Sequence, residues 1–257
     1  MLTKLSIKSL YALALAEGEG VGTAYEYFAK RLVLGPWLAT MTRPQSLLIA
    51  GLPEKYGASL DFLQVAAELE TAVTIADDRP AALEKVQKAV TAVQADGWLR
   101  NLSLRLVHVH SMAAMAELDG PFDLAFSSEV VQRLADRAAY AQRVQTLAAH
   151  AALFTPNADN PAHTNLSGLS GLRRNQLATL LRPAYAVSAQ KPYRFGYIDM
   201  PPFPPGMTRS DEQREQATTG AMEAFAMWGL AYYARAERLF PVAWRQRQSH
   251  IVYALVN

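Results

Sequence analysis

The chain contains no cysteine, which excludes disulfides, thiol nucleophiles and thiolate metal sites. Histidine is scarce as well. A zinc site would have to draw on His108, His110, His150, His163 and His250 together with carboxylates. His108 and His110 share one face of the strand-like "RLVHVHS", a spacing more usual for strand histidines than for a metal pair. No charge of one sign dominates: Lys+Arg 25 stand against Asp+Glu 23, and the basic residues are scattered. Such a surface offers no stripe for a nucleic-acid backbone. No run reaches the roughly 18 apolar residues of a membrane span. The opening "MLTKLSIKSLYALALAEGEG" is interrupted by Lys8 and Ser9 and lacks a small-residue cleavage site. It predicts an amphipathic helix of a cytoplasmic protein rather than a signal peptide or membrane anchor.

Apolar residues, by contrast, are abundant. A chain of 257 residues that is 51% hydrophobic and 19% charged suits one compact α/β domain with a modest appendage. Residues 1–44 read as a helical cap: a helix, the glycine-rich break "EGEGVGTAYEY", and a second helix for which Thr23 is a candidate cap. Over residues 45–257 strand-like runs ("SLLIA", "AVTIA", "LRLVHV", "FDLAFSS", "AALFTPN") alternate with helical ones, including a helix expected over "EVVQRLADRAAYAQRVQTLAAH". This alternation predicts a parallel sheet covered by helices on both faces. "GLRRNQLATLLRPA" adds a helix and "AYAVSAQ" a strand. At about 190–209, "KPYRFGYIDMPPFPPGMTRS" holds five of the 14 prolines and reads as an ordered loop. Its Tyr193, Phe195, Tyr197 and Phe203 would wall an apolar pocket. Ser210 is the expected N-cap of a long helix with an apolar face open to a homodimer or protein partner, and "QSHIVYALV" a closing strand.

Two motifs carry chemistry. "SLLIAGLPEKYGASLDFL" is a buried strand that turns at Gly51 into a helix, where α/β proteins hold nucleotides. It lacks the second glycine of a dinucleotide fingerprint and the Gly-Lys-Ser/Thr of a phosphate loop. "VTIADDRPAAL" is a strand, two aspartates and a helix opened by Pro80. A carboxylate at Asp77, or alternatively Asp78, can accept both hydroxyls of a ribose, and either would equally cap the helix.

In order and spacing these segments, with "DGPFDLAFSSEVVQRL" and "ADNPAHTNLSGLSGLRRNQLATLL", resemble the class I S-adenosylmethionine-dependent methyltransferases. The resemblance implies a Rossmann-like, doubly wound, mostly parallel seven-stranded sheet and S-adenosylmethionine or S-adenosylhomocysteine as ligand. It places Gly51 at the cofactor's methionine part, Asp77 or Asp78 at the ribose, and Ser111 and Met112 at the adenine. Ser127, Ser128 and Glu129 would face the transferred methyl group, and Tyr25 the cofactor carboxylate. In the loop over the substrate, Asn157, His163 and Ser167 are the candidates, with His163 as general base. Ile49 stands where the family has an acid, so Glu54 is the candidate partner of the methionine ammonium, while Lys55 reads as solvated. The implied activity is methylation of a small molecule, with neither nucleic acid nor membrane as partner. The alternative is a catalytically silent scaffold on the same fold, favoured by Ile49, by "LPEKYG" in place of a small-residue turn and by the missing carboxylate before "DGPFDLAF".

Overall fold

The computed structural model describes residues 2–54, 57–182, 193–202 and 221–257. Two helices, α1 (Ile7–Ala16) and α2 (Val21–Leu38), precede the sheet. The alternating region then runs β1 (Ser46–Ala50), α3 (Leu60–Leu69), β2 (Ala72–Asp77), α4 (Pro80–Ala95), β3 (Leu104–His108) and β4 (Phe122–Ser128). It continues through α5 (Arg137–Leu147), β5 (Ala148–Pro156), α6 (Pro161–Ser167), α7 (Arg174–Leu181) and β6 (Tyr193–Ile198), and closes with helices over Ala221–Ala236 and Val242–Gln248 and with β7 (Ile251–Val256).

The seven strands form one sheet in the order β3-β2-β1-β4-β5-β7-β6. All neighbours from β3 to β5 pair in parallel, and β7 is antiparallel to both β5 and β6. The central strand β1 shows why so short a segment is a strand. Leu47, Leu48, Ile49 and Ala50 are all fully buried, as expected where helices cover both faces. Alternate residues serve the two sides: Leu47 and Ile49 join a core shared with α1, α2 and α3, and Leu48 and Ala50 one shared with α5. The N-terminal helices therefore bury their apolar faces in the same core as the sheet.

Local details depart from the sequence reading. Gly20, with no side-chain cap, precedes α2, and Thr23 lies inside that helix. The expected loop at 190–209 contains β6, whose Tyr193 and Phe195 alternate with Arg194 and Gly196 and which pairs with β7 throughout; the chain leaves the sheet only before Pro201. The helix expected from Glu129 onward starts later, at Arg137, where Asp136 Oδ1 accepts the Ala139 amide at 2.9 Å. The segment "AYAVSAQ", Phe203 and Ser210 lie outside the described residues. No described helix is long and apolar enough to cross a membrane.

Candidate functional site

The strand order reverses at β1, which has β2 on one side and β4 on the other. A crevice at the carboxyl ends of these strands is the expected ligand position in an open α/β sheet. The chain leaves β1 through Gly51 at φ +87°, and a Cβ there would lie 2.7 Å from Val130 Cγ1 and 3.0 Å from Met112 Cε. Only glycine meets both the dihedral and the contact. The Gly51 amide is held by the Ala76 carbonyl at 2.8 Å, which ties the end of β1 to the end of β2.

Asp77 ends β2 and is fully buried. Its Oδ2 accepts the Leu52 amide at 2.7 Å, Arg79 Nη2 at 3.0 Å and Arg133 Nη2 at 3.2 Å. Its Oδ1 accepts the Arg79 amide at 2.9 Å and Arg79 Nε at 2.8 Å. Burial opposes ionisation, but the bonds from Arg79 and Leu52 and the charges of Arg79 and Arg133 outweigh it and hold the carboxyl below its ordinary value. Arg79 also reaches the turn, donating to the carbonyls of Leu52 (2.9 Å), Pro53 (3.1 Å) and Glu54 (3.2 Å). One guanidinium thus joins the carboxylate at β2 to the turn after β1, while its side chain remains 31% exposed.

On the other side of the turn, a cavity of about 170 Å³ opens between α2, the loop before α3, the end of β4 and α6. Glu17, Lys30, Asp61 and Ser128 on its wall are buried, whereas Glu19, Glu26, Glu129 and His163 are partly exposed. Lys30 is the built-in cation. Its Nζ lies 2.5 Å from Glu26 Oε1 and 3.5 Å from Asp61 Oδ2, donates to Ser128 Oγ at 3.0 Å, and stands 5.1 Å from the centre of the Phe62 ring. Burial works against its charge, but Asp61 and then Glu26 raise it above the ordinary lysine value. Carboxyls of the wall are raised too, which for an acid disfavours the charge. Burial, with the Asp61 charge adding to it, raises Glu17 to about 7 against the bonds it accepts. Burial, then the Glu26 charge, raises Glu129 to about 8, with Lys30 opposing. Glu129 holds φ +54° and its amide donates to the Phe154 carbonyl at 2.9 Å, so the strained backbone that ends β4 is fixed by β5.

The fold gathers some of the sequence candidates and separates others. Gly51, Asp77, Asp78 and Glu54 meet at the turn: Asp78 accepts from Arg133 at 3.0 Å and Glu54 Oε2 from Gln132 at 3.4 Å. Glu129, His163, Ser128 and Ser167 line the cavity. Ser127 points to the opposite face of the strand, 2.7 Å from the Tyr140 hydroxyl, and so does not meet Ser128 in the cavity. Tyr25 is buried away from it, donating to Glu237 Oε2 at 2.6 Å; two residues on, Tyr27 lines the wall instead. Asn157 is spent on structure, donating to the Gln246 and Ser249 carbonyls at 2.7 and 2.9 Å. Ser111 is exposed and caps the Ala114 amide, and Met112 packs beneath Gly51. His163 stacks on His250 with ring centres 3.9 Å apart, and burial followed by the His250 charge lowers it to about 4. It is a poor base at neutral pH. The His108 and His110 ring centres lie 5.7 Å apart, and among the described residues no group of three or more His, Asp or Glu side chains is placed to hold a metal ion.

Sequence reasoning missed Glu17, Lys30, Asp61, Arg79 and Arg133. Only Lys30 left a signal, as a cation four residues after Glu26 on an otherwise largely apolar helix.

No family model matches the chain, and no curated protein matches it in sequence. Among solved structures it is similar to the plantazolicin methyltransferase BamL, in complex with a triazolic desmethylPZN analog and SAH, at 12% identity and TM-score 0.56 over 97% of this chain and 90% of that one. It is also similar to the methyltransferase domain of bacterial-CtHen1-C, at 14% identity and TM-score 0.50 over 89% of this chain and 98% of that one. The chain has the class I methyltransferase fold.

Proposed function

We propose that this chain, built on the class I methyltransferase fold, binds S-adenosylmethionine at the carboxyl ends of β1 and β2 and methylates a small molecule bound in the adjoining cavity. The observation that carries this reading is Asp77: a buried, ionised carboxylate at the end of β2, beside a glycine that turns the chain out of β1. The residues fit the cofactor on one condition. Two oxygens that now accept from Arg79, one of them from Arg133 as well, can accept from two ribose hydroxyls, provided that Arg79 swings aside and Arg133 yields its 3.2 Å bond to Oδ2; the Arg79 side chain is 31% exposed and has solvent to swing into. The Leu52 amide would stay on Oδ2 and keep the carboxylate oriented. When bound, the cofactor supplies an already activated methyl group, so the protein need only orient the acceptor and accept its proton. Glu129 suits the second task better than His163, because a carboxyl poised at about 8 takes and releases protons near neutral pH and an imidazole at about 4 does not.

The competing reading, a silent subunit on the same fold, is favoured by the same Asp77–Arg79 pair, since a ribose acid permanently capped by its own chain would exclude the cofactor. Calorimetric titration with S-adenosylhomocysteine separates the two. The expected result is binding by the native chain, loss in Asp77→Asn, and tighter binding in Arg79→Ala, in which the capping guanidinium is gone. No binding at millimolar ligand, in the native chain and in Arg79→Ala alike, would refute the enzyme reading and turn attention to a protein partner.

A further inference from the structure

The cavity beside Lys30 has an unusual balance of charge. Among the described residues its wall carries the carboxyls of Glu17, Glu26, Asp61 and Glu129, with Lys30 as a permanent cation and His163 neutral. Lys30 bridges Glu26 and Asp61. Glu17 stands outside those bridges with a residue exposure of 5%. Its Oε1 accepts the Leu60 amide at 2.7 Å, but its Oε2 has no hydrogen bond of normal geometry, although the Tyr27 hydroxyl is near enough to favour the ionised form. Asp61 Oδ2 is likewise buried without a hydrogen bond and is ion-paired to Lys30 at 3.5 Å. Buried carboxylate oxygens in this condition are costly unless a donor completes them.

We infer that the cavity is the acceptor pocket and binds a compact protonated amine, whose ammonium hydrogens complete Glu17 Oε2 and Asp61 Oδ2 while its apolar end lies toward Tyr27 and Leu169. The identification as acceptor pocket rests on the methyltransferase reading; the preference for a cation rests on the wall alone. Lys30 already exhibits the chemistry, since one ammonium is held there by two carboxylates, a serine hydroxyl and an aromatic ring. A ligand that brings a second ammonium favours ionisation of the remaining carboxyls, so its binding releases protons. Glu17 faces Tyr27, Asp61 and the Leu60 and Ala58 amides; Glu129 faces Glu26, Lys30, Asp199 and Glu54.

The test titrates the full chain, without cofactor, with n-propylamine, and with propan-1-ol and propionate as neutral and anionic probes of the same size. Propylammonium is expected to bind about tenfold or more tighter than the alcohol, as a charge-assisted bond exceeds a neutral one. Propionate should not bind. Affinity for the amine should rise between about pH 6 and pH 9, by up to about tenfold per pH unit for each proton released. Glu17→Gln should lower that affinity, and Glu129→Gln serves as the second variant should the first not fold. Equal binding of amine and alcohol, an affinity indifferent to pH, or no heat from propylamine up to about 50 mM would overturn the inference. Displacement of propylamine by saturating S-adenosylhomocysteine would assign the cation site to the cofactor's own ammonium and overturn the acceptor role. If S-adenosylhomocysteine fails to bind while propylamine binds, the methyltransferase reading falls and the cation pocket stands.

Discussion

Replacement of Glu17 by glutamine should stabilise the protein above the ordinary carboxyl value of 4.5, with the full gain reached above about 7. Glu17 follows α1 and is buried, with Oε1 on the Leu60 amide that opens α3, so a carboxyl of the N-terminal helices holds the start of a helix in the sheet region. Its side chain titrates at about 7 in the fold against 4.5 ordinarily, chiefly because burial penalises the charge. A carboxyl raised in this way leaves the fold at full strength below the ordinary value and weakens it as pH climbs through the folded value. Between those limits the loss is about 3 kcal/mol. Glutamine keeps the oxygen that receives the Leu60 amide and never ionises. At about pH 4, below the ordinary carboxyl value, the variant and the native chain should therefore melt together. At about pH 8.5 the variant should melt about 6–12 °C higher, since one kcal/mol is worth about 2–4 °C at this chain length. Thermal unfolding followed by circular dichroism at both pH values measures the difference. A variant that gains nothing at high pH, or gains equally at both, would refute the claim that an ionised carboxylate in this cavity is held at a cost.

Other consequences follow from the same wall. Lys30→Met strands Glu26 and Asp61 without their cation and should cost about 3–5 kcal/mol in urea unfolding at pH 7.5, with part of the loss recovered at pH 5, where the carboxyls take up protons; a loss under about 1 kcal/mol would contradict the salt-bridge account. His163, lowered to about 4, should keep a constant imidazole chemical shift from pH 8 down to about pH 5. A midpoint near the ordinary value of 6.5 would contradict the lowering by burial and by the His250 charge.

The order of strands and helices, the buried β1, the turn at Gly51, and Asp77 with Pro80 behind it were all legible in the sequence. Each depends on interactions within a few residues: an apolar run, a dihedral only glycine tolerates, a proline where a helix can begin. β6 was missed because the prolines around "YRFGYI" outweighed the alternation inside it, and only β7, reached after some fifty residues, gives that segment a partner. What Asp77 does could not be read either. The sequence places a carboxylate at a strand end, but whether its oxygens are open or capped is decided by Arg79 folding back over the turn and by Arg133 arriving from beyond β4. The acidic cavity belongs wholly to the tertiary structure. Glu17, Lys30, Asp61 and Glu129 come from four separate segments, and nothing in their local sequence sets them beside one another. Charge interacts through space and burial multiplies its effect, so carboxyls that titrate near 4.5 in the open chain reach about 7 and 8 only when packing removes water and sets them beside one another.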